Sequence, residues 1–302
     1  MVCFTRPVFR WLLAISAIAL STCHAWGQSA YSPPLWEVRS GNNSVYLFGT
    51  IHVGKADFYP LPPAVETAFR DSDVLAVEVD PANQQEAVAA IMSAMYAPPD
   101  NIENHVAPSL LASVVEVAGA YGIPFEQLRQ MKPYLLMFTL TSLEYARLGF
   151  TAQQGLETHF SQAASSQDKR IVSLESMAQQ MQMLDRLSPE LQTAMLQITV
   201  DEIENNEVAG LVAQMIGAWQ SGNIEILDEV LRVEERRLPD SLANEFHERF
   251  LTDRNVNMVR QIEAMLESKE REFVAVGALH MVGDDGIVAI LEQRGYQVTP
   301  LR

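Results

Sequence analysis

Short apolar runs that end in glycine or polar residues characterise the N-terminal part of the chain. Residues 35–40 and 45–48 flank the turn-forming residues 41–44, which predicts a β-hairpin. A helix flanked by prolines is predicted at 63–71, and the mostly apolar run at 73–80 predicts a buried strand. This order of elements is that of a β-α-β unit.

The C-terminal part repeats this order without longer sequence identity. Residues 271–276 form an apolar run that predicts a second buried strand. A helix is predicted at 287–294, Gly295 ends it, and 296–300 predicts the last strand. A further helix is predicted before this unit, from a cap at Thr252 to about residue 269.

Helical spacing of apolar residues dominates the middle of the chain, from about residue 83 to 250. The predicted helices cover 83–97, 107–121, 131–148, 152–166, 176–185, 188–204, 207–220, 223–237 and 239–249. One strand near 170–175 interrupts them. Because no linker separates the ends from the middle, we expect a single α/β domain over 28–302. Its central mixed or mostly parallel sheet is built from both ends of the chain, and the helices form a large insertion.

The first residues predict export. Arg6 and Arg10 precede the apolar run 11–20, which is too short to span a bilayer comfortably, and small residues follow it. We therefore predict a cleaved signal peptide at 1–27, a periplasmic or secreted protein, and no membrane span after cleavage. An uncut N-terminal anchor is the alternative, and lipidation at Cys23 is disfavoured because Thr22 is a poor residue at that position.

The amino-acid composition limits which metal ligands and which partners the protein can have. The only cysteines are Cys3 and Cys23, so the mature chain would have no thiol, and any metal site must use His, Asp and Glu. The net charge is −17 and becomes −19 without Arg6 and Arg10, which disfavours nucleic acid as a partner. An acidic surface also serves solubility.

Two Gly-x-x-His motifs follow apolar strands, at Gly49–His52 and Gly277–His280. Ligands of open α/β sheets bind beyond the carboxyl ends of the strands, and glycine allows a close backbone approach there. If the two strands are neighbours, His52 and His280 can share one metal ion. The alternative is that each is a satisfied core histidine.

Acidic residues are predicted at the ends of three elements. Glu78 ends a buried strand, where an ionised carboxylate needs a metal or a cationic partner such as Arg. Glu157 lies at a predicted helix start, where a helix-dipole role is the alternative. Glu175 follows the strand near 170–175 and could equally cap a helix.

Arg254 is the remaining candidate, because a cation in the first turn of a helix opposes the helix dipole and suggests a partner. That partner is either a carboxylate of the sheet or a developing oxyanion, and the alternative is a surface pair with Asp253 or a neighbouring Glu. The chain contains no HExxH, GxSxG, P-loop or GxGxxG motif. A catalytic zinc ion often takes two His and one Glu and keeps an open position for water.

Together these residues resemble the TraB/PrgY/GumN family. The resemblance rests on Tyr46–His52, Val77–Asp80, Gly155–Glu157, Leu174–Glu175, Asp253–Asn255 and Val276–His280, in that order along the chain. Members include the Tiki proteases, and the fold is shared more distantly with erythromycin esterase and the ChaN haem-binding lipoproteins. The absence of a predicted C-terminal span resembles the exported GumN-like branch.

The resemblance implies an active centre at both Gly-x-x-His motifs. On this basis we expect metal ligands at His52, Glu78 and His280, and catalytic roles for Glu157, Glu175 and Arg254. Which glutamate binds the metal and which acts as the general base stays open. The leading hypothesis is a hydrolase of peptides or proteins that depends on a divalent metal ion (Mn, Co or Zn). The alternative is a non-catalytic binding protein for a peptide signal, haem or a metal.

Overall fold

The structure, a computed structural model, describes residues 31–41 and 43–302. The predicted signal peptide and both cysteines lie outside the described residues. No helix among residues 31–41 and 43–302 has the length and apolar character needed to cross a membrane.

A six-stranded sheet lies at the centre of the fold. Its strands are β1 (Leu35–Ser40), β2 (Asn43–Thr50), β3 (Val74–Val77), β4 (Arg170–Ser173), β5 (Glu272–Gly277) and β6 (Gln297–Pro300). They are ordered β4-β3-β5-β2-β1-β6 across the sheet. The four strands from β4 to β2 run parallel, whereas β1 is antiparallel to both β2 and β6. The predicted α/β fold with a mostly parallel sheet is therefore confirmed.

Helices cover the sheet and fill the middle of the chain. They are α1 (Pro63–Arg70), α2 (Gln84–Ser93), α3 (Pro108–Ala120), α4 (Pro133–Arg147), α5 (Leu156–Ser166), α6 (Met177–Asp185), α7 (Pro189–Glu204), α8 (Val208–Ser221), α9 (Ile224–Glu235), α10 (Asp240–His247), α11 (Asp253–Leu266) and α12 (Ile287–Gln293). Each predicted helix of the insertion has a counterpart. The division of the chain into one domain over 28–302 stays a prediction.

The position of β5 decides where the two Gly-x-x-His motifs meet. It lies between β2 and β3 and runs parallel to both, with Thr50 paired to Gly277 and Val77 paired to Ala275. The carboxyl ends of these three strands therefore share one edge of the sheet. The segments that carry His52, Glu78 and His280 leave the sheet at that edge.

Apolar side chains bury both faces of the sheet. One face packs an aromatic cluster from the strands and from α5 and α8, formed by Phe48, Phe160, Phe273 and Trp219. The other face packs α11 and α12 through residues such as Met258 and Ile287. A second core, around Tyr134 and Leu140, lies within the helical insertion. The strands that lead to the two Gly-x-x-His motifs are therefore fixed by packing on both faces of the sheet.

The segment before α11 differs from the expected free helix start. A π-helical turn, Glu248–Thr252, joins α10 to α11, and Thr252 itself has helical backbone angles without a capping bond from its side chain. Its hydroxyl donates instead to Asp285. The predicted cap at Thr252 was therefore wrong, and Arg254 does not lie at an exposed positive helix end. Its position has to be explained by its side-chain partners.

Candidate functional site

Close backbone packing brings the two Gly-x-x-His segments together. A Cβ on Gly49 would lie 3.1 Å from the Cα of Ala278, so the turn after β5 rests directly on β2. The indole Nε1 of Trp219 in α8 donates to the carbonyl of Gly49 over 2.7 Å. A side chain at position 49 would push the two segments apart. The glycine of the first motif therefore has a packing role.

His52 is held through one of its two ring nitrogens. Its Nδ1 lies 2.9 Å from Oε1 of Glu157, and the Thr50 hydroxyl donates to the same oxygen. The negative charge of Glu157 raises the pKa of His52 to about 9, against the opposing effect of partial desolvation by the surrounding protein atoms. About two thirds of the side chain remains exposed (66%). His52 is thus oriented by Glu157 while its other edge stays accessible.

Glu157 reaches His52 because α5 begins against the backbone of the first motif. A Cβ on Gly155 would lie 2.1 Å from the carbonyl oxygen of His52, so only glycine fits there. The backbone N–H of Leu156 donates to Ile51 over 3.2 Å. Glu157 follows in the first turn of α5, where the helix dipole favours its charge. The dipole role and the contact with His52 therefore coexist.

His280 is buried and is also held through Nδ1, which lies 2.6 Å from Oδ1 of Asn255. The amide nitrogen of Asn255 donates to the backbone oxygen of Asp285, so its Oδ1 is the acceptor for His280. The proton of neutral His280 is then on Nδ1, and its Nε2 is free. Burial lowers the pKa of His280 to about 4, which leaves the ring neutral at neutral pH.

Both carboxylate oxygens of Glu78 already have partners. The backbone N–H of Gly277 donates to Oε1 over 2.6 Å, and Nη2 of Arg254 donates to Oε2 over 2.6 Å. Burial opposes ionisation of Glu78, but the positive charges of the histidines and Arg254, with the Gly277 N–H, lower its pKa to about 2. Its Oε1 also lies 3.8 Å from Nε2 of His280.

Arg254 joins Glu78 to Glu175. Its Nε and Nη2 donate to the Glu175 carboxylate over 3.0 and 2.8 Å, and its Nη1 donates to the backbone of Phe250 over 3.2 Å. Asp253 pairs with Arg249 instead, so the surface alternative for Arg254 does not hold. Glu175 also accepts a bond from Gln180. All three guanidinium nitrogens donate hydrogen bonds to protein acceptors. Glu175 is therefore connected to Glu78 through Arg254.

The space directly over Gly277 is bounded by the side chains of Glu78 and His52. A Cβ on Gly277 would lie 3.1 Å from Oε1 of Glu78 and 3.4 Å from Nε2 of His52. His52 and His280 both line an adjacent cavity of 270 Å³. The structure therefore brings together His52, His280 and Glu78, with Glu157 behind His52 and Glu175 behind Arg254.

The donor set fits a divalent metal only in part. Each histidine is held through Nδ1, which leaves Nε2 as the atom for a metal, the usual arrangement of metal-binding histidines. Because the pKa of His52 is raised to about 9, an ion would have to displace the proton on its Nε2. Within residues 31–41 and 43–302, however, no group of three His, Cys, Asp or Glu side chains is arranged to hold a metal. Glu78 would have to give up a hydrogen bond to become the third ligand.

A family model covers nearly all of the described chain. The model of the TraB/PrgY/gumN family matches residues 34–300. The chain belongs to this family. The expected resemblance to this family is therefore confirmed.

Relatives in the family differ in what their names state. "Uncharacterized protein YbaP" of Escherichia coli strain K12 is 26% identical over 251 residues, which covers 83% of this chain and 89% of YbaP. "Metalloprotease TIKI2" of Xenopus tropicalis is 23% identical over 87% of this chain and 59% of its own length. "Metalloprotease TIKI1" of Danio rerio is 21% identical over 90% of this chain and 63% of its own length. No solved structure is significantly similar to the chain.

Three polar residues of the site were missed by the sequence interpretation. Asn255 fixes the tautomer of His280, Thr50 supports Glu157, and Gln180 supports Glu175. Asn255 was within a motif of the family, which was a usable indication of its role. Thr50 and Gln180 carried no comparable sequence indication, because their roles depend on contacts between distant segments.

Proposed function

We propose that the protein is a hydrolase of peptides or proteins that uses a divalent metal ion, Mn²⁺, Co²⁺ or Zn²⁺, held by His52 and His280. The main support is that both imidazoles are anchored through Nδ1 and line the same cavity, so that Nε2 of each is the atom left for an ion. The family relationship to proteins named metalloproteases supports the same reaction class. The arginines and apolar run at the N-terminus support a site of action outside the cytoplasm.

Each polar residue has a distinct task in this proposal. A bound divalent ion would supply a hydroxide at neutral pH and polarise the carbonyl of the scissile bond. Glu157 and Asn255 fix the orientation of the two imidazoles, which keeps both Nε2 atoms available. Glu78 lies 3.8 Å from Nε2 of His280 and beside Gly277, and is the carboxylate that binds the ion or holds the proton of the attacking water.

Arg254 is a positioning residue in this proposal. Its nitrogens donate to Glu78, Glu175 and the backbone of Phe250, so its charge is matched within the protein. We therefore assign it to holding Glu78 in place beside Gly277, and Glu175 to holding Arg254. The role of oxyanion donor that was considered for Arg254 has no support in these contacts.

Metal content tests the proposal first. The chain without residues 1–27 would be purified without chelator, and bound metal would be measured before and after addition of manganese, cobalt or zinc. We expect a near-stoichiometric ion that is lost in His52→Ala and His280→Ala but retained in His105→Ala. His105 pairs with Asp100 and is a matched control. An absence of metal in the wild type under all conditions would refute the proposal.

Glu78→Gln then separates the two roles of Glu78. Loss of metal would identify Glu78 as a ligand. Retention of metal with loss of peptide cleavage would identify it as the group that holds the proton. Peptide libraries read by mass spectrometry provide the activity measurement, with His105→Ala again as control.

One observation favours the alternative of a binding protein without turnover. Glu78 has both oxygens bonded to protein donors, and no third ligand is in place among the described residues. Such a protein would bind a peptide or a metal ion. A haem is a poor candidate, because 270 Å³ is below the roughly 300–1,000 Å³ of pockets that enclose a whole small-molecule ligand. Metal retention without cleavage of any peptide would support this alternative.

A further inference from the structure

An apolar cavity begins beside the two histidines and extends under the helical insertion. Thr50, His52, Arg254 and His280 lie at one end of it. Its remaining walls come mainly from α8, α9, α10 and the turn before α11, and include Val212, Ile216, Leu227, Leu231, Phe246 and Phe250. The cavity therefore has one polar end, at the candidate site, and apolar walls elsewhere.

The floor of the cavity is the segment that carries His280. Gly277, Ala278 and Leu279 line it between β5 and the histidine. A group inside the cavity would be attached to a substrate atom close to the histidines. Apart from Tyr145, the wall side chains away from the polar end are apolar and offer no partner to a charged or polar group, and burial of such a group without a partner is costly. The cavity thus selects for an apolar group next to the reacting bond.

The size of the cavity limits what it can hold. Its volume of 270 Å³ exceeds the roughly 150 Å³ of an apolar cavity that binds benzene, and it is below the range for whole drug-sized ligands. One large side chain such as that of Phe, Leu or Met fits this volume. The rest of the substrate would have to lie outside, along the exposed edge of His52.

We propose that this cavity is a specificity pocket for one large apolar side chain of a peptide substrate, on a residue that flanks the cleaved bond. The proposal rests on the hydrolase function proposed above and names the substrate feature that the site selects. A residue with Phe, Leu or Met in the pocket is bound more tightly than one with Ser. From the burial of one large apolar side chain, we expect a preference of roughly 10- to 100-fold.

Ile216→Trp is designed to fill the pocket. Ile216 is a half-buried wall residue on α8 and belongs to neither the polar end nor the sheet. Ile226→Trp is the matched control, because Ile226 is 41% exposed on α9 and does not line the cavity. We expect Ile216→Trp to shift cleavage towards Ala and Gly beside the cut bond. Ile226→Trp should keep the preference of the wild type.

A binding measurement tests the proposed specificity pocket without requiring peptide cleavage. N-acetyl-phenylalaninamide and N-acetyl-serinamide would be titrated into the protein labelled at leucine and isoleucine methyl groups. We expect the phenylalanine probe to shift the methyl resonances of Leu227 and Leu231 in the wild type and in Ile226→Trp. The serine probe should not do so, and Ile216→Trp should weaken the effect of the phenylalanine probe at least tenfold.

The outcomes separate the pocket from the hydrolase function. Peptide cleavage without apolar preference, or binding that Ile216→Trp leaves unchanged, would overturn the pocket and leave the hydrolase function standing. Pocket-dependent binding without cleavage of any peptide would support the pocket and count against the hydrolase function. Dodecanoate, a fatty acid, would be compared with apolar peptides as a competitor of the phenylalanine probe. If dodecanoate displaces the probe at a lower concentration than the peptides do, the pocket binds an acyl chain and the assignment to a peptide side chain is overturned.

Discussion

Removal of the Arg254 side chain is expected to destabilise the protein far more than removal of a neighbouring arginine. The side chain of Arg254 is 14% exposed, and it lies between Glu78 and Glu175, whose side chains are 8% and 13% exposed. Arg254→Met leaves two nearly buried carboxylates without their cation. Breaking one buried ion pair costs about 3–5 kcal/mol, and we expect a loss of stability in that range.

Arg249 provides the matched control because it lies just over one helical turn earlier. It pairs with Asp253, and both side chains are 49% exposed. Exposed pairs of this kind contribute about 0–1 kcal/mol, so Arg249→Met should be nearly neutral. Arg254→Lys should fall between the two Met variants, because it keeps the charge but loses the forked geometry. Urea unfolding followed by far-UV circular dichroism measures all three variants.

The pH dependence of the Arg254→Met effect gives a second measurement. The pKa of Glu78 in the folded protein is about 2, below its ordinary value of 4.5. The ionised pair therefore stabilises the fold fully above about pH 4.5, and this contribution is lost as the pH falls through about 2. The difference between wild type and Arg254→Met should shrink at low pH. A cost equal to that of Arg249→Met at pH 7 would refute the reasoning.

Three further predictions concern other contacts of the site and its support. Gly277→Ala should abolish cleavage, with a larger effect on activity than on stability, because the new methyl group would lie 3.1 Å from the Glu78 carboxylate. Trp219→Phe should cost about 1–3 kcal/mol in urea unfolding, because it leaves the carbonyl at the end of β2 without its indole donor. The pKa of His247 is raised: burial opposes its charge, but its hydrogen bond to Glu235 and the charge of a nearby aspartate outweigh burial. His247 should therefore stabilise the fold below about pH 6.5 and less as the pH rises through its raised pKa.

Controls and contradicting outcomes are available for these three predictions. Gly119→Ala, in an open position within α3, should leave activity unchanged, and an equal effect of both glycine substitutions would contradict the role of Gly277. A Trp219→Phe protein as stable as the wild type would show that the indole bond contributes little. His247→Gln should flatten the pH dependence of stability between pH 6 and 8, and an unchanged slope would exclude His247 as its source.

Local sequence patterns were sufficient for the elements of this fold. The apolar runs of β3 and β5 and the glycines at the strand ends placed His52, Glu78 and His280 at one edge of a parallel sheet. The order of the strands was not available from these patterns, because strand pairing depends on contacts between distant segments. The position of β5 between β2 and β3 is such a contact, and the predicted meeting of the two histidines depended on it.

The roles of the carboxylates were harder to predict for a related physical reason. A glutamate at the end of a strand is equally compatible with a metal, a cation or a helix terminus. The structure shows Glu78 and Glu175 on Arg254 and Glu157 on His52. Each partner lies on a segment remote in sequence from its carboxylate, so no spacing rule indicated the pairing. Arg254 was predicted to have a partner because a cation in the first turn of a helix opposes the helix dipole. The π-helical turn before α11 removes that reason, because it joins α10 to α11.

The central position of β5 also has a consequence for the biogenesis of the protein. This strand comes from Glu272–Gly277, close to the end of the chain, yet it is the only link between the β1-β2-β6 and β3-β4 parts of the described sheet. A polypeptide that emerges from the ribosome, N-terminus first, has neither the strand that joins the two parts of the sheet nor His280 until residue 280 is out. The candidate site therefore cannot form on a nascent chain that ends before that residue. Any activity of the site is confined to chains in which β5 and His280 are both present.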